Sequence, residues 1–274
     1  MLNVYQYFDD AKSLLHYNVI SDKFYLLNNT TAWGKSISAE DLEPLKNIII
    51  KTPSYAYHYA RDIIKSRWKE AESAVMKNPA FAYYYAKDII KGRWPEAEPI
   101  IMKKAQYAYD YAKYVIKGRW PEAELNIMKD PLFAYDYAKD VIKGRWPEAE
   151  KYIMKKPMDA VDYARYMIKG RWPEAEKYIM KNPLWAIFYA EKTIKGRWSE
   201  AEPYIMKKAS HSVVYARTIL KARWPEAESV IMESPNDAYE YARDIIKGRW
   251  PAAEKYIIKS KAAWKRYTNE FGIE

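Results

Sequence analysis

Along residues 53–260 the apolar and polar positions repeat every 26 residues. Trp68, Trp94, Trp120, Trp146, Trp172, Trp198, Trp224 and Trp250 mark that spacing without an insertion. A fixed period in this range is the signature of stacked repeats. Counted from Pro53, eight repeats begin at Pro53, Pro79, Ala105, Pro131, Pro157, Pro183, Ala209 and Pro235. The first half of each reads like PLFAYDYAKDVIKG, Pro131–Gly144. Apolar residues stand at positions 4, 7, 8, 11 and 12, Pro opens the run and Gly follows it, which predicts a helix with a glycine C-cap. With positions 3 and 5 the apolar arc covers roughly 200°, so this helix is expected between neighbouring layers. The second half, PEAEKYIMK, predicts a helix of eight or nine residues with Glu in its first turn and Lys in its last, matched to the helix dipole. Pro99 and Pro203 fall inside that run, so PEAE is expected to form a tight first turn there.

The predicted fold is all-α: an α-solenoid of eight 26-residue two-helix repeats with capping segments at both ends. Residues 1–52 form an N-terminal capping region, 53–260 the repeats and 261–274 a C-terminal capping half-repeat in which Tyr267 keeps the position-7 tyrosine. Ser38 with Asp41 spells a capping box. Thr52, Asn78, Asp130, Asn182, Ser234 and Ser260 can cap the helices they precede, whereas Lys104, Lys156 and Lys208 cannot.

The octapeptide KGRWPEAE at Lys91–Glu98 returns at Lys117–Glu124, Lys143–Glu150 and Lys169–Glu176. Arg at position 15 and Glu at position 20 occur in all eight repeats. A carboxylate on the inner side of the second helix needs a partner, because an unpaired buried charge is costly. The arginine just before that helix can bind it bidentately. A structural ladder is expected; eight equivalent copies with no attached nucleophile or histidine do not describe an active site. The tryptophan reads as a wedge between layers whose indole N–H needs an acceptor.

Where packing does not dictate the residue, the repeats can differ. The outer strip of the first helix holds positions 2, 6, 9, 10 and 13 and is mostly polar; Asp136 with Lys139 and Asp140 with Lys143 are spaced for surface pairs. In repeats 4 to 7 the strip turns apolar: Leu132, Met158 and Leu184 at position 2, Phe188 and Val214 at position 6, with Glu191 reversing the charge at position 9. Apolar residues on successive layers make one patch, and these six residues are the candidate partner-binding surface. The rival is a cationic ladder, drawn from Lys87, Lys113, Lys139, Lys143, Arg165 and Lys169, for RNA or single-stranded nucleic acid, with tyrosines to stack bases.

Composition narrows the classes. The 274 residues are 49% hydrophobic and 30% charged, enough for a core and too mixed for disorder. The formal charge of +10 is spread among 46 basic and 36 acidic residues and names no partner by itself. No cysteine is present, which excludes disulfides and thiolate sites. His16, His58 and His211 share no metal-ligand spacing, and no glycine-rich phosphate loop occurs, so neither metal nor cofactor is expected. Asp9 and Asp10 interrupt any signal-peptide core, and no apolar run reaches membrane length, so a cytoplasmic protein without a membrane partner is expected.

The pattern Tyr-Ala, three residues, Ile-Lys-Gly-Arg-Trp-Pro-Glu-Ala-Glu, as in Tyr137–Glu150, resembles tandem repeats of bacteriophage and other viral or bacterial proteins of mostly unassigned role. The likeness covers roughly residues 53–260. It implies an α-helical solenoid acting in a bacterial host cytoplasm, where a non-enzymatic, phage-encoded binding protein would sequester or inhibit a host factor.

Overall fold

A computed structural model describes residues 15–18, 23–26, 35–36 and 46–273. The Ser38–Asp41 capping box lies outside the described residues. The chain divides into two compact units, one ending at Lys129 and one beginning at Asp130. Repeats 1 to 3 belong to the first and repeats 4 to 8 with the C-terminal helix Lys261–Phe271 to the second. In each unit, successive first helices pack on one another and on the second helices, as an α-solenoid requires. The N-terminal segment adds a three-stranded antiparallel sheet of β1 (Leu15–Asn18), β2 (Lys23–Leu26) and β3 (Lys35–Ser36), in that order. Leu15 pairs with Leu26, and Tyr25 with Ser36. Helical periodicity carries no information about these strands, which lie outside the repeats.

Repeat 4 shows how each unit is built. Pro131 opens the first helix, and the Asp130 side chain accepts the Leu132 N–H. Asn78, Asn182 and Ser260 cap their helices in the same way, but Thr52 and Ser234 make no side-chain cap bond. The helix is α only over Pro131–Tyr137 and then widens to a π-helix over Ala138–Ile142. The same change occurs in every repeat, which the sequence pattern does not predict. Ala, Tyr and Ala at positions 4, 7 and 8 are buried, as expected. Positions 11 and 12, in the π segment, are only half-buried.

The helix end corrects the expected glycine cap. The left-handed residue is Lys143, with φ 59° and ψ 38°, and Lys65, Lys91, Lys117, Lys169, Lys195, Lys221 and Lys247 occupy the same region. The Ala138 carbonyl accepts from the N–H groups of both Lys143 and Gly144. This closure from Gly144 is one residue wider than at an α-helical end, so the reversal falls on the lysine. A left-handed L-residue costs about 1–2 kcal/mol, offset in part by a cation at the negative helix end. Gly144 itself has no left-handed φ, a Cβ there would meet nothing within 4 Å, and Ser66 and Ala222 fill the equivalent position. Gly144→Ala is therefore expected to stabilise the protein by about 0.4–1 kcal/mol through the unfolded chain. Denaturant titration checks the sign; a true left-handed cap glycine would give the opposite one.

The second helix, Pro147–Ile153, is seven residues long, slightly shorter than expected. In repeats 2 and 6 the α-helix shrinks to Glu98–Ile101 and Glu202–Ile205, following the separate first turn that Pro99 and Pro203 predict. No helix among the described residues is long and apolar enough to cross a membrane.

Candidate functional site

All eight Arg–Glu pairs form within their own repeats. Arg171 is representative: its Nε and Nη2 donate to the two Glu176 oxygens at 2.9 and 2.8 Å. The carboxylate side chain is 11% exposed and the guanidinium side chain 49%. The pair also reaches the next repeat. Tyr189 Oη donates to Glu176 Oε1 at 3.1 Å and accepts the Trp172 backbone N–H at 2.6 Å. The same Trp–Tyr bond recurs down each unit and ends on Tyr267 of the C-terminal helix. Burial is the main reason the phenols resist ionisation; Tyr85, Tyr215 and Tyr241 are each pushed up to about 12. These groups latch layers together and hold no nucleophile. In repeats 2, 6 and 7 the expected indole acceptor is absent: Trp94, Trp198 and Trp224 are buried with Nε1 unsatisfied, each ring tilted against the position-7 tyrosine of its own repeat.

The apolar strip divides by exposure. Leu132 and Met158 are each 37% exposed and Leu184 63%, at the same position on successive packed helices of the second unit. Phe188 and Val214 are half-buried. The Phe188 ring meets Trp185 edge-on at 6.0 Å and lies 5.8 Å from the Arg165 guanidinium carbon. The half-buried state corrects the expectation that position 6 points away from packing. Glu191 is ion-paired with Lys192 at 2.6 Å, so repeat 6 exchanges the charges of positions 9 and 10 rather than reversing one.

The cationic ladder separates into two rows. At position 9, Lys87 lies over the Tyr83 and Tyr114 rings, Lys113 donates to Tyr109 Oη at 2.9 Å, and Lys139 lies over Tyr135. Arg165 rests on Tyr166 and Phe188, while Arg243 and Arg217 pair with Asp244. At position 13, Lys143 and Lys169 are exposed at left-handed helix ends. Lys91 and Lys117 belong with them, as a lysine at position 13 of every repeat predicts; sequence reasoning missed that Tyr114 stands where repeats 1, 2, 4 and 8 have aspartate. That substitution was the available signal.

Two titratable groups lie apart from these rows. Asp159 is 1% exposed, its carboxyl raised by burial and opposed by Lys156 at 3.4 Å. Burial lowers the His211 imidazole, with the Lys208 charge adding to it. Among the described residues no cluster of three or more histidines and carboxylates could hold a metal ion. No family model matches the chain, and neither a curated protein nor a solved structure matches it.

Proposed function

We propose that the chain is a non-enzymatic helical-repeat scaffold that binds a protein partner through the outer strip of repeats 4 to 6. One observation carries this reading: Leu132, Met158 and Leu184 stay in solvent at one position of three successive helices. A fold that buries positions 4, 7 and 8 of the same helix leaves these three exposed in register, as an interface core requires. Phe188 and Arg165 beside them supply the aromatic and guanidinium groups that anchor such contacts. Sequestration or inhibition of a host factor is the use that the repeat resemblance implies. The position-9 cations of these repeats, Lys139 and Arg165, lie on aromatic rings, which favours a protein over a nucleic-acid strand as the occupant of this strip.

The test compares capture by the unmodified chain, Leu184→Asp and Lys139→Gln/Lys143→Gln, in nuclease-treated lysate of a bacterial host. Leu184→Asp is expected to lose a partner that the lysine variant keeps, with its melting temperature unchanged, because Leu184 is mostly exposed. An anchor in such a patch contributes about 2 kcal/mol, roughly thirtyfold in affinity. Loss of the partner with the lysine variant alone would move the function to the cations.

A further inference from the structure

In the first unit, the π-helical ends of repeats 2 and 3 frame a half-open pocket of about 270 Å³ lined by Lys87, Lys91, Gly92, Tyr114, Val115 and Lys117. Three of its six walls are lysines and none is acidic. Among the described residues no ion pair is formed by Lys87, Lys91 or Lys117. The nearby Asp88 carboxylate accepts the Tyr57 hydroxyl at 2.6 Å, from repeat 1. Tyr114 stands where Asp62, Asp88, Asp140 and Asp244 stand in other repeats, so a neutral ring replaces the carboxylate that would cancel the charge. That ring is 47% exposed and carries the ammonium groups of Lys87 and Lys113 at 5.4 and 5.1 Å from its centroid.

Lys91 and Lys117 are also the two left-handed residues of these repeats, at φ 58° each. Glycine would take that conformation without the steric cost, so these two lysines line the pocket at the expense of the backbone strain that position 13 carries in every repeat. The chemistry of the donors selects the ligand. Every position-15 arginine, whose planar fork suits carboxylates, is committed to its own glutamate, and only lysines, which bind phosphate as point charges, remain. Three lysines that form no ion pair call for an anion of more than one charge, and the volume lies just below the ~300–1,000 Å³ of pockets that enclose whole drug-sized ligands.

We infer that this pocket binds a multiply charged phosphate chain, a di- or triphosphate, free or as the tail of a nucleotide. The site is independent of the apolar strip, which lies in the other unit. The same residue types recur in the second unit as Lys139, Lys143, Tyr166 and Lys169, with Tyr166 again exposed in place of aspartate.

The experiment is calorimetric titration of the full chain with sodium triphosphate at low salt. Three variants accompany it: Tyr114→Asp, Lys91→Gly/Lys117→Gly and Lys221→Gly/Lys247→Gly. The first restores the residue other repeats carry, and the second removes charge while keeping the left-handed backbone. The third removes the same charge at repeats 7 and 8, where Asp244 occupies the place of Tyr114. Tyr114→Asp and Lys91→Gly/Lys117→Gly are each expected to lose one bound triphosphate per chain with no fall in melting temperature, while the third variant keeps the original stoichiometry. Equal binding of triphosphate and ATP assigns the free phosphate chain as ligand, and tighter binding of ATP assigns a nucleotide. The inference is overturned if all three variants lose binding alike, which would mean diffuse attraction to a basic surface. It is equally overturned if Tyr114→Asp keeps its full complement of triphosphate, or if a single-stranded oligonucleotide binds and triphosphate does not.

Discussion

Raising the pH through the tyrosine range is expected to unfold the repeat units cooperatively, with helical ellipticity lost as phenolate absorbance appears. Tyr85, Tyr215 and Tyr241 are pushed up to about 12, and Tyr111, Tyr163 and Tyr189 are raised further. Burial is the largest cause in each: a phenolate in the interior would forfeit its hydration. The backbone N–H of the preceding tryptophan acts the other way, favouring the phenolate, and the nearby glutamate raises the value again. In the unfolded chain a tyrosine titrates near ~10. Above that pH the unfolded state has released protons that the folded state retains. The stability is therefore complete below the unfolded value and is lost as pH rises towards the folded one.

Each buried tyrosine contributes a slope of about 1.4 kcal/mol per pH unit inside that window. Several acting together exceed a typical domain stability of roughly 5–15 kcal/mol before the window closes. Lysine deprotonation has the opposite sign, since it relieves repulsion in a chain of net charge +10. Alkaline unfolding thus separates the two effects. Phenolate absorbance that appears while the circular dichroism stays native would show that these hydroxyls are open to solvent.

The second large effect is expected at the latch. Tyr189→Phe should cost about 2 kcal/mol, because the Trp172 backbone N–H, now donating to Tyr189 Oη at 2.6 Å, would stay buried without an acceptor. The ring itself packs unchanged. Glu176→Gln should cost less, under about 1 kcal/mol, because Arg171 is half exposed and its attraction is screened by water. The amide oxygen can still accept from Tyr189. From the sequence, the loss of such a glutamate is set at about 3 kcal/mol for a buried pair and below 1 for an exposed one. The structure has a buried acid beside an exposed base, which brings the smaller figure into force. Denaturant titrations of the two variants and their double mutant give the order directly. If Glu176→Gln proves the more damaging, the ion pair rather than the phenol carries the joint between layers.

The sequence by itself determined the repeat length, the two-helix unit, the Arg–Glu pairing and the buried Ala, Tyr and Trp positions. Each follows from short-range geometry: an arginine five residues before its glutamate across one tight turn, or an apolar arc of fixed helical spacing. The exposed Leu132, Met158 and Leu184 were legible for the same reason, since they break a polar strip at one position. Only the tertiary structure decided how the first helix ends. Ala, Lys, Asp, Val and Ile carry no local signal for the π turn observed at Ala138–Ile142 and would by themselves continue an α-helix. A π turn has poorer backbone geometry and persists where neighbouring layers hold it, as the packed π segments of successive repeats do here. The wider turn moves the left-handed residue onto Lys143 and leaves Gly144 outside it. The position-7 hydroxyl was invisible for a related reason: its partners, Trp172 N–H and Glu176, are 17 and 13 residues from Tyr189 and meet it only when one repeat stacks on the next. Half-burial of Phe188 and the gathering of Lys87, Lys91 and Lys117 around Tyr114 likewise depend on contacts between layers, which a periodic pattern within one repeat does not encode.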